Sequence, residues 1–188
     1  DLVLATDPDC DRLSIAIRIK DNFQILSANE LGCLLLDYVC QNITCVNKPV
    51  FIKTIVTTDL AELIAKKYNA TTINTLTGFK FIGEQIDILK KQNRENDFIF
   101  GFEESCGFLK GTYVRDKDAT VAAMLVCEMY AYYKSKDISL IERLNELYDE
   151  FGYCLNVQHS LTFDGAKGQA KIERIMDGVR YVLPTLAN

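Results

Sequence analysis

Val50-Phe51-Ile52-Lys53-Thr54-Ile55-Val56 follows Pro49 as a run of β-favouring residues, and Leu60, Leu63, Ile64 and Tyr68 follow it at helical spacing. A strand leading into a helix is the simple reading, with Asp59 and Glu62 in capping positions at the helix start. The unit then repeats. Thr71 to Leu76 reads as a second strand, about Phe81 to Lys91 as a second helix, and Phe98-Ile99-Phe100-Gly101-Phe102 as a third strand. Strands alternating with helices in this way indicate βαβ units and hence an α/β fold, a three-layer αβα domain with a mixed, largely parallel sheet. In such sheets sites gather at the carboxyl ends of the strands, here the loops after Val56, Leu76 and Phe102.

Outward from this centre, Ser27-Ala28-Asn29-Glu30 has the form of a capping box, and Leu31, Leu34, Leu35, Tyr38 and Val39 predict a helix over 28 to 41. On the other side helices are predicted at about 118 to 135, capped by Asp118, and at 139 to 151, until Gly152 breaks the pattern. Cys154 to Phe163 reads as a strand leading to a helix from about Ala166, which puts a domain boundary near Gly152.

Composition narrows the class. A chain of 188 residues that is 48% hydrophobic can build a core, which excludes a disordered or fibrous protein. A net charge of −5 argues against a nucleic-acid surface, because backbone phosphates call for a basic face. Seven cysteines, an odd number without a paired CxxC, suit reduced thiols better than disulfides or zinc. Cys33, Cys40 and Cys127 fall in helical apolar patterns and read as small buried hydrophobes. No apolar stretch approaches the ~20 residues that span a bilayer, so a soluble, cytoplasmic protein without a membrane partner is expected. The chain begins with Asp and its first residues already read as a strand, so a longer natural protein is expected.

The chemistry concentrates in loops. Asp7-Pro8-Asp9-Cys10-Asp11-Arg12 sets three carboxylates at two-residue spacing beside an arginine, between the apolar run Leu2-Val3-Leu4-Ala5 and the alternating run Leu13 to Ile19. Oxygen ligands at this density suit Mg²⁺, which keeps part of its shell for water and phosphate oxygens. An EF-hand is excluded, since the sixth and twelfth loop positions hold Arg12 and Arg18. Lys53 stands in an otherwise apolar strand, where it either snorkels at a sheet edge or reaches a ligand. Thr77, Gly78 and Lys80 open a helix, and a lysine there opposes the helix dipole unless an anion is bound. Gly101 to Phe108 carries Glu103, Glu104 and Ser105, a set that suits vicinal hydroxyls, between glycines that let backbone approach a ligand. His159 is the sole histidine and reads as structural, so a hydrolase triad is a poor candidate. A P-loop and a GxGxxG are absent.

Four motifs occur in one order: DPDCDR, TLTGFKFIG, GFEESCGF and RDKDA. Together they resemble the α-D-phosphohexomutase superfamily, the phosphoglucomutases and phosphomannomutases, over nearly the whole chain, and most closely the bacterial phosphoglucomutase branch. The resemblance implies residues 1–25 as the end of domain 2 with the metal loop, 26–152 as the αβα sugar-binding domain 3, and 153–188 as the start of domain 4. It implies Asp7, Asp9 and Asp11 as Mg²⁺ ligands with Arg12 beside them, in a loop where glycine is frequent at the positions of Pro8 and Cys10. It implies Glu103 and Ser105 as readers of sugar hydroxyls, with Thr77, Gly78 and Phe79 facing the sugar. Arg115 and Lys117 correspond to a basic segment near the phosphate and the transferring proton, and Lys53 parallels a lysine of some branches.

A general base is required, and Lys117 or Lys53 needs a lowered pKa for that role. The implied reaction is Mg²⁺-dependent interconversion of hexose 1-phosphate and 6-phosphate, glucose first, through a phosphoserine and a hexose bisphosphate. This chain contains neither the Ser-His-Asn-Pro type loop nor the Arg-Ser-Gly-Thr type clamp, so the fragment alone is expected to be inactive and to bind Mg²⁺ weakly. A non-catalytic sugar-phosphate-binding module is the alternative.

Overall fold

The computed structural model describes residues 1–43, 46, 48–157 and 161–181. It divides into one unit from Asp1 to Leu155 and a second from Asn156 onward. In the first unit, β1 (Leu2–Thr6), β2 (Leu13–Ile19) and β3 (Asn22–Ile25) form an antiparallel sheet in that order. The alternation of β2 is realised, with Leu13, Ile15 and Ile17 buried and Ser14 exposed between them. Helix α1 (Ala28–Asn42) starts with the expected capping box: the Ser27 hydroxyl accepts the Glu30 N–H, and the Glu30 carboxylate accepts the Ser27 N–H at 2.7 Å.

The α/β part follows as β4 (Val50–Thr54), α2 (Leu60–Lys67), β5 (Thr71–Thr75), α3 (Phe79–Lys91) and a 3₁₀ turn at Glu95–Asp97. It continues through β6 (Phe98–Glu103), β7 (Gly107–Leu109), α4 (Ala119–Lys134) and α5 (Leu140–Phe151). The sheet order is β5-β4-β6-β7, parallel throughout except for β7, which pairs antiparallel with β6. Every residue of β4 is buried, as both faces of a parallel sheet are covered. Val50 and Ile52 face α3, where Phe79, Ile82, Ile86 and Leu89 complete one core. On the other face Phe51, Phe100, Phe102 and Phe108 stack with centroid separations of 5.7 to 6.5 Å and meet α1, α2, α4 and α5. These are the three layers, and the buried side of β2 joins the second core.

Helix α1 approaches this aromatic stack through Gly32, where an added Cβ would stand 2.2 Å from the Phe102 ring. Gly32→Ala should therefore destabilise by about 1–3 kcal/mol through overpacking, outweighing the ~1 kcal/mol that alanine gains over glycine in a helix. Urea denaturation checks this, and an unchanged or raised midpoint would refute it.

Several expectations are corrected. Asp59 precedes α2 without capping it, because its backbone is helical and its carboxylate lies 3.7 Å from the Lys53 ammonium. The hairpin that adds β7 lies where a polar loop was expected. Cys33 and Cys40 are buried, and burial raises the Cys40 thiol to about 12, but Cys127 is exposed because α4 turns Ala122, Val126 and Met129 inward instead. The strand expected over Cys154 to Phe163 is absent among the described residues, where Leu155, Val157 and Leu161 are exposed with no neighbouring strand to pair with. His159 lies outside the described residues. The second unit contributes α6 (Gly165–Tyr181). Among the described residues no helix is long and apolar enough to cross a membrane.

Candidate functional site

The loop joining β1 to β2 is organised by its own first acid. Asp7 Oδ1 accepts the N–H groups of Asp11 at 3.2 Å and Arg12 at 3.1 Å, and the Cys10 N–H donates to the Asp7 carbonyl. The Arg12 N–H is the main reason that the Asp7 carboxyl lies below the ordinary range, with burial opposing it. Cys10 has φ +58°, so the turn keeps the left-handed geometry with a cysteine where glycine would carry less strain. One carboxylate oxygen from each of Asp7, Asp9 and Asp11 lies within 4.8 Å of the others. Asp9 is exposed, whereas Asp11 Oδ1 is buried with no hydrogen-bond partner. The Arg12 Nε stands 3.4 Å from Asp7 and 3.6 Å from Asp11, with its side chain 55% exposed. These acids can hold a hard cation.

Backbone bonds join this loop to the β6–β7 hairpin and to α4. Arg12 bridges Gly107, the Leu13 N–H donates to the Cys106 carbonyl, and the Ala119 N–H donates to the Cys10 carbonyl. The Asp118 side chain caps α4, accepting from Thr120 and Val121. Lys117, just before it, lies 2.7 Å from Asp11 Oδ2 and 3.4 Å from Asp116. Burial disfavours its charged form, but the bond to Asp11 and the two acidic charges outweigh this and raise its pKa. A general-base role would call for the opposite direction, a lowered value.

Glu103 ends β6 and Ser105 lies in the turn of the hairpin. Glu103 is buried, and burial lifts its carboxyl above the ordinary range against the Ser105 hydroxyl and the Lys117 charge. Ser105 is exposed. Gly107 leaves room for side chains rather than for a ligand, since an added Cβ would stand 2.7 Å from Lys117 Cδ and 2.8 Å from Glu103 Oε1. The acidic loop, the Glu103 carboxylate and Lys117 are therefore brought together.

Other expected residues lie apart from this cluster. Lys53 is 1% exposed in the central strand β4, not at an edge, and its ammonium bonds Glu62 at 3.1 Å and the Thr57 carbonyl at 3.0 Å. Arg115 is committed to Asp87 at 2.6 Å and Glu95 at 2.8 Å, so its fork is filled by α3 and the 3₁₀ turn. Thr77 is exposed beyond β5, Gly78 begins α3, and the Phe79 side chain is buried in the core, which leaves only its backbone for a ligand. Lys80 lies over the Phe81 ring at 4.9 Å.

Thr54 and Thr57 were not singled out as site residues from the sequence, and Glu104 only as part of an acidic turn, yet they join the turn after β6 to the loop after β4. Their signal was faint, because the bonds that join them span 47 and 50 positions.

Residues 27–151 match the family model described as phosphoglucomutase/phosphomannomutase, alpha/beta/alpha domain III. The chain is similar to a phosphomannomutase of Mycoplasmoides pirum, at 32% identity over 100% of this chain and 34% of that protein. It is also similar to a phosphoglucomutase of Staphylococcus epidermidis, at 37% identity over 98% of this chain and 34% of that one. The chain thus spans about a third of the length of these curated relatives. The solved structure of the Paramecium exocytosis-sensitive phosphoprotein pp63/parafusin, a phosphoglucomutase in open form, shares the fold. Its TM-score is 0.64 at 20% identity, with 97% of this chain and 31% of that chain covered.

Proposed function

Because this chain belongs to the phosphoglucomutase/phosphomannomutase family, we propose that it is the metal-binding and sugar-reading part of a Mg²⁺-dependent phosphohexomutase. The reaction is the interconversion of hexose 1-phosphate and 6-phosphate, with glucose as first substrate, by way of a phosphoserine and a hexose bisphosphate. The observation that carries the reading is the cluster of Asp7, Asp9 and Asp11, in which the buried Asp11 Oδ1 accepts no hydrogen bond and lies 3.6 Å from the Arg12 Nε. These three residues would hold Mg²⁺, which supplies charge neutralisation for a transferring phosphoryl group. Three protein carboxylates leave coordination positions for a phosphate oxygen, so Mg²⁺ affinity in this chain alone is weak.

Arg12, exposed beside the acids, offers its planar fork to a phosphate oxygen. Lys117 adds positive charge, Glu103 and Ser105 accept and donate to sugar hydroxyls, and Thr77 with the Gly78–Phe79 backbone faces the sugar. Arg115 braces the segment that carries Lys117, and Lys53 braces the loop after β4. The assignment to residues 1–25, 26–152 and 153–188 as the end of domain 2, domain 3 and the start of domain 4 is supported by the family match and the helix break at Gly152. A cytoplasmic location accords with free thiols at all six described cysteines. The nucleophilic serine is not among the motifs of this chain, so the fragment binds without turning over.

The test is an assay of the full-length protein on glucose 1-phosphate with and without Mg²⁺. Turnover lost on chelation supports the reading, and absence of turnover on glucose, mannose and glucosamine phosphates overturns it. In the same assay Gly107→Ala, which drives apart Glu103 and Lys117, should lower kcat/KM by about 10²-fold. Wild-type kinetics in that variant would show that the two side chains yield without consequence.

A further inference from the structure

Between the two residues proposed to read the sugar stands Glu104, whose side chain turns the other way. Its Oε2 accepts the Thr54 hydroxyl at 2.7 Å and the Thr57 hydroxyl at 3.3 Å, and the two hydroxyl oxygens lie 2.7 Å apart. Thr54 is 0% and Thr57 2% exposed. Buried hydroxyls need partners, and a carboxylate acceptor makes a stronger bond than a neutral one. The acceptor is supplied from 50 residues away, across the end of the parallel sheet.

The receiving loop is itself pinned. The Lys53 ammonium, buried in β4, donates to the Thr57 carbonyl and pairs with Glu62 of α2. The Thr58 N–H donates to Asn29 Oδ1 of α1. Glu104 is therefore fastened to a rigid support. The other end of the same turn is held by the Leu13 N–H on the Cys106 carbonyl. Ser105 sits between these two fastenings, and Glu103 directly precedes the first.

We propose that Glu104 is a positioning residue: its carboxylate latches the β6–β7 turn onto Thr54 and Thr57 and so sets Glu103 and Ser105 for the hydroxyls of a hexose phosphate. The inference rests on the mutase reading for its ligand. It also assigns Lys53 a supporting place beneath the latch, through the Thr57 carbonyl. Loss of the latch removes binding common to the ground and transition states, which raises KM more than it lowers kcat.

The test uses the full-length protein with glucose 1-phosphate, comparing Glu104→Ala, Glu104→Gln, Thr54→Val and the double variant Glu104→Ala with Thr54→Val. Glu104→Ala should raise KM about 10-fold with kcat within about 3-fold, since a loosened loop misplaces the contacts it carries. Its Mg²⁺ activation constant should match the wild type, because the acidic loop is held by other bonds, while its melting temperature should fall by a few degrees as one buried acceptor is lost. Glu104→Gln, which keeps an acceptor oxygen for Thr54, should recover most of the KM. The double variant should be no worse than the worse single one, as expected for a shared contact. Wild-type KM in Glu104→Ala, additive effects in the double variant, or an Mg²⁺ activation constant that shifts with KM across the series would each overturn the latch. Inactivity of the wild-type protein would instead defeat the mutase reading itself.

Discussion

Replacing Asp37 by alanine should lower the unfolding free energy by about 3–5 kcal/mol, the cost of stranding a buried charge by removing its partner. Asp37 is fully buried in α1 and accepts from four side chains on three other elements as well as its own helix. Its Oδ1 takes Tyr68 at 2.9 Å and Arg143 Nη2 at 3.0 Å; its Oδ2 takes Gln41 at 2.6 Å, Arg143 Nε at 2.9 Å and Tyr133 at 3.1 Å. Arg143 is 13% exposed and would keep its 2.6 Å bond to Glu146, so little water is at hand for the Nε and Nη2 groups that Asp37 leaves. Burial first, and the Asp37 charge second, keep the Tyr68 and Tyr133 hydroxyls protonated far above the usual tyrosine range. Asp37 is therefore the point at which α1, α2, α4 and α5 are tied together on one side of the sheet. Urea denaturation at neutral pH measures the effect. Asp37→Leu combined with Arg143→Leu should lose less than Asp37→Ala alone, because both charges leave together. A loss under about 1 kcal/mol in Asp37→Ala would show the site to be wetter than the structure has it.

Asp9→Asn in the full-length protein should lower kcat for hexose phosphate interconversion by about 10²–10³-fold, the loss that follows removal of one preorganised electrostatic stabiliser. Asp9 is the acid to choose because the fold does not depend on it. Asp7 holds two backbone N–H groups and Asp11 holds Lys117, whereas Asp9 is exposed in the same cluster. Surface changes away from structural features usually stay within about 0.5 kcal/mol, so the variant should unfold at the wild-type urea midpoint. Activity and stability then separate. Raising Mg²⁺ should restore part of the activity, since the amide keeps one neutral oxygen ligand. Full activity in Asp9→Asn at ordinary Mg²⁺ would refute the assignment of this loop as the metal site.

Much of the architecture was legible because it is written in local pattern. The Ser27 capping box, the alternation of β2 and the helix start at Asp118 depend on residues within a few positions of one another, and each formed as the spacing implied. The acid triplet was legible for the same reason, as its three carboxylates belong to one turn. Where local pattern misled, a distant partner intervened. Asp59 resembles a cap, but the buried ammonium of Lys53 competes for its carboxylate. Cys127 lies in an apolar run, but the face that α4 buries was chosen by packing against the aromatic stack.

The two glutamates after β6 show the division most clearly. The sequence by itself determined the order of the chemistry-bearing loops, the α/β alternation that carries them and the gathering of the Asp7, Asp9 and Asp11 carboxylates on one turn, because these follow from periodicity and charge over a few residues. Only the tertiary structure decided that β4 lies in the middle of the sheet and that Lys53 is consequently buried. It also decided that Glu103 turns toward Lys117 while Glu104 turns toward Thr54. These outcomes depend on strand order and on contacts between residues some 50 positions apart, which pair only when burial of both sheet faces brings their elements together.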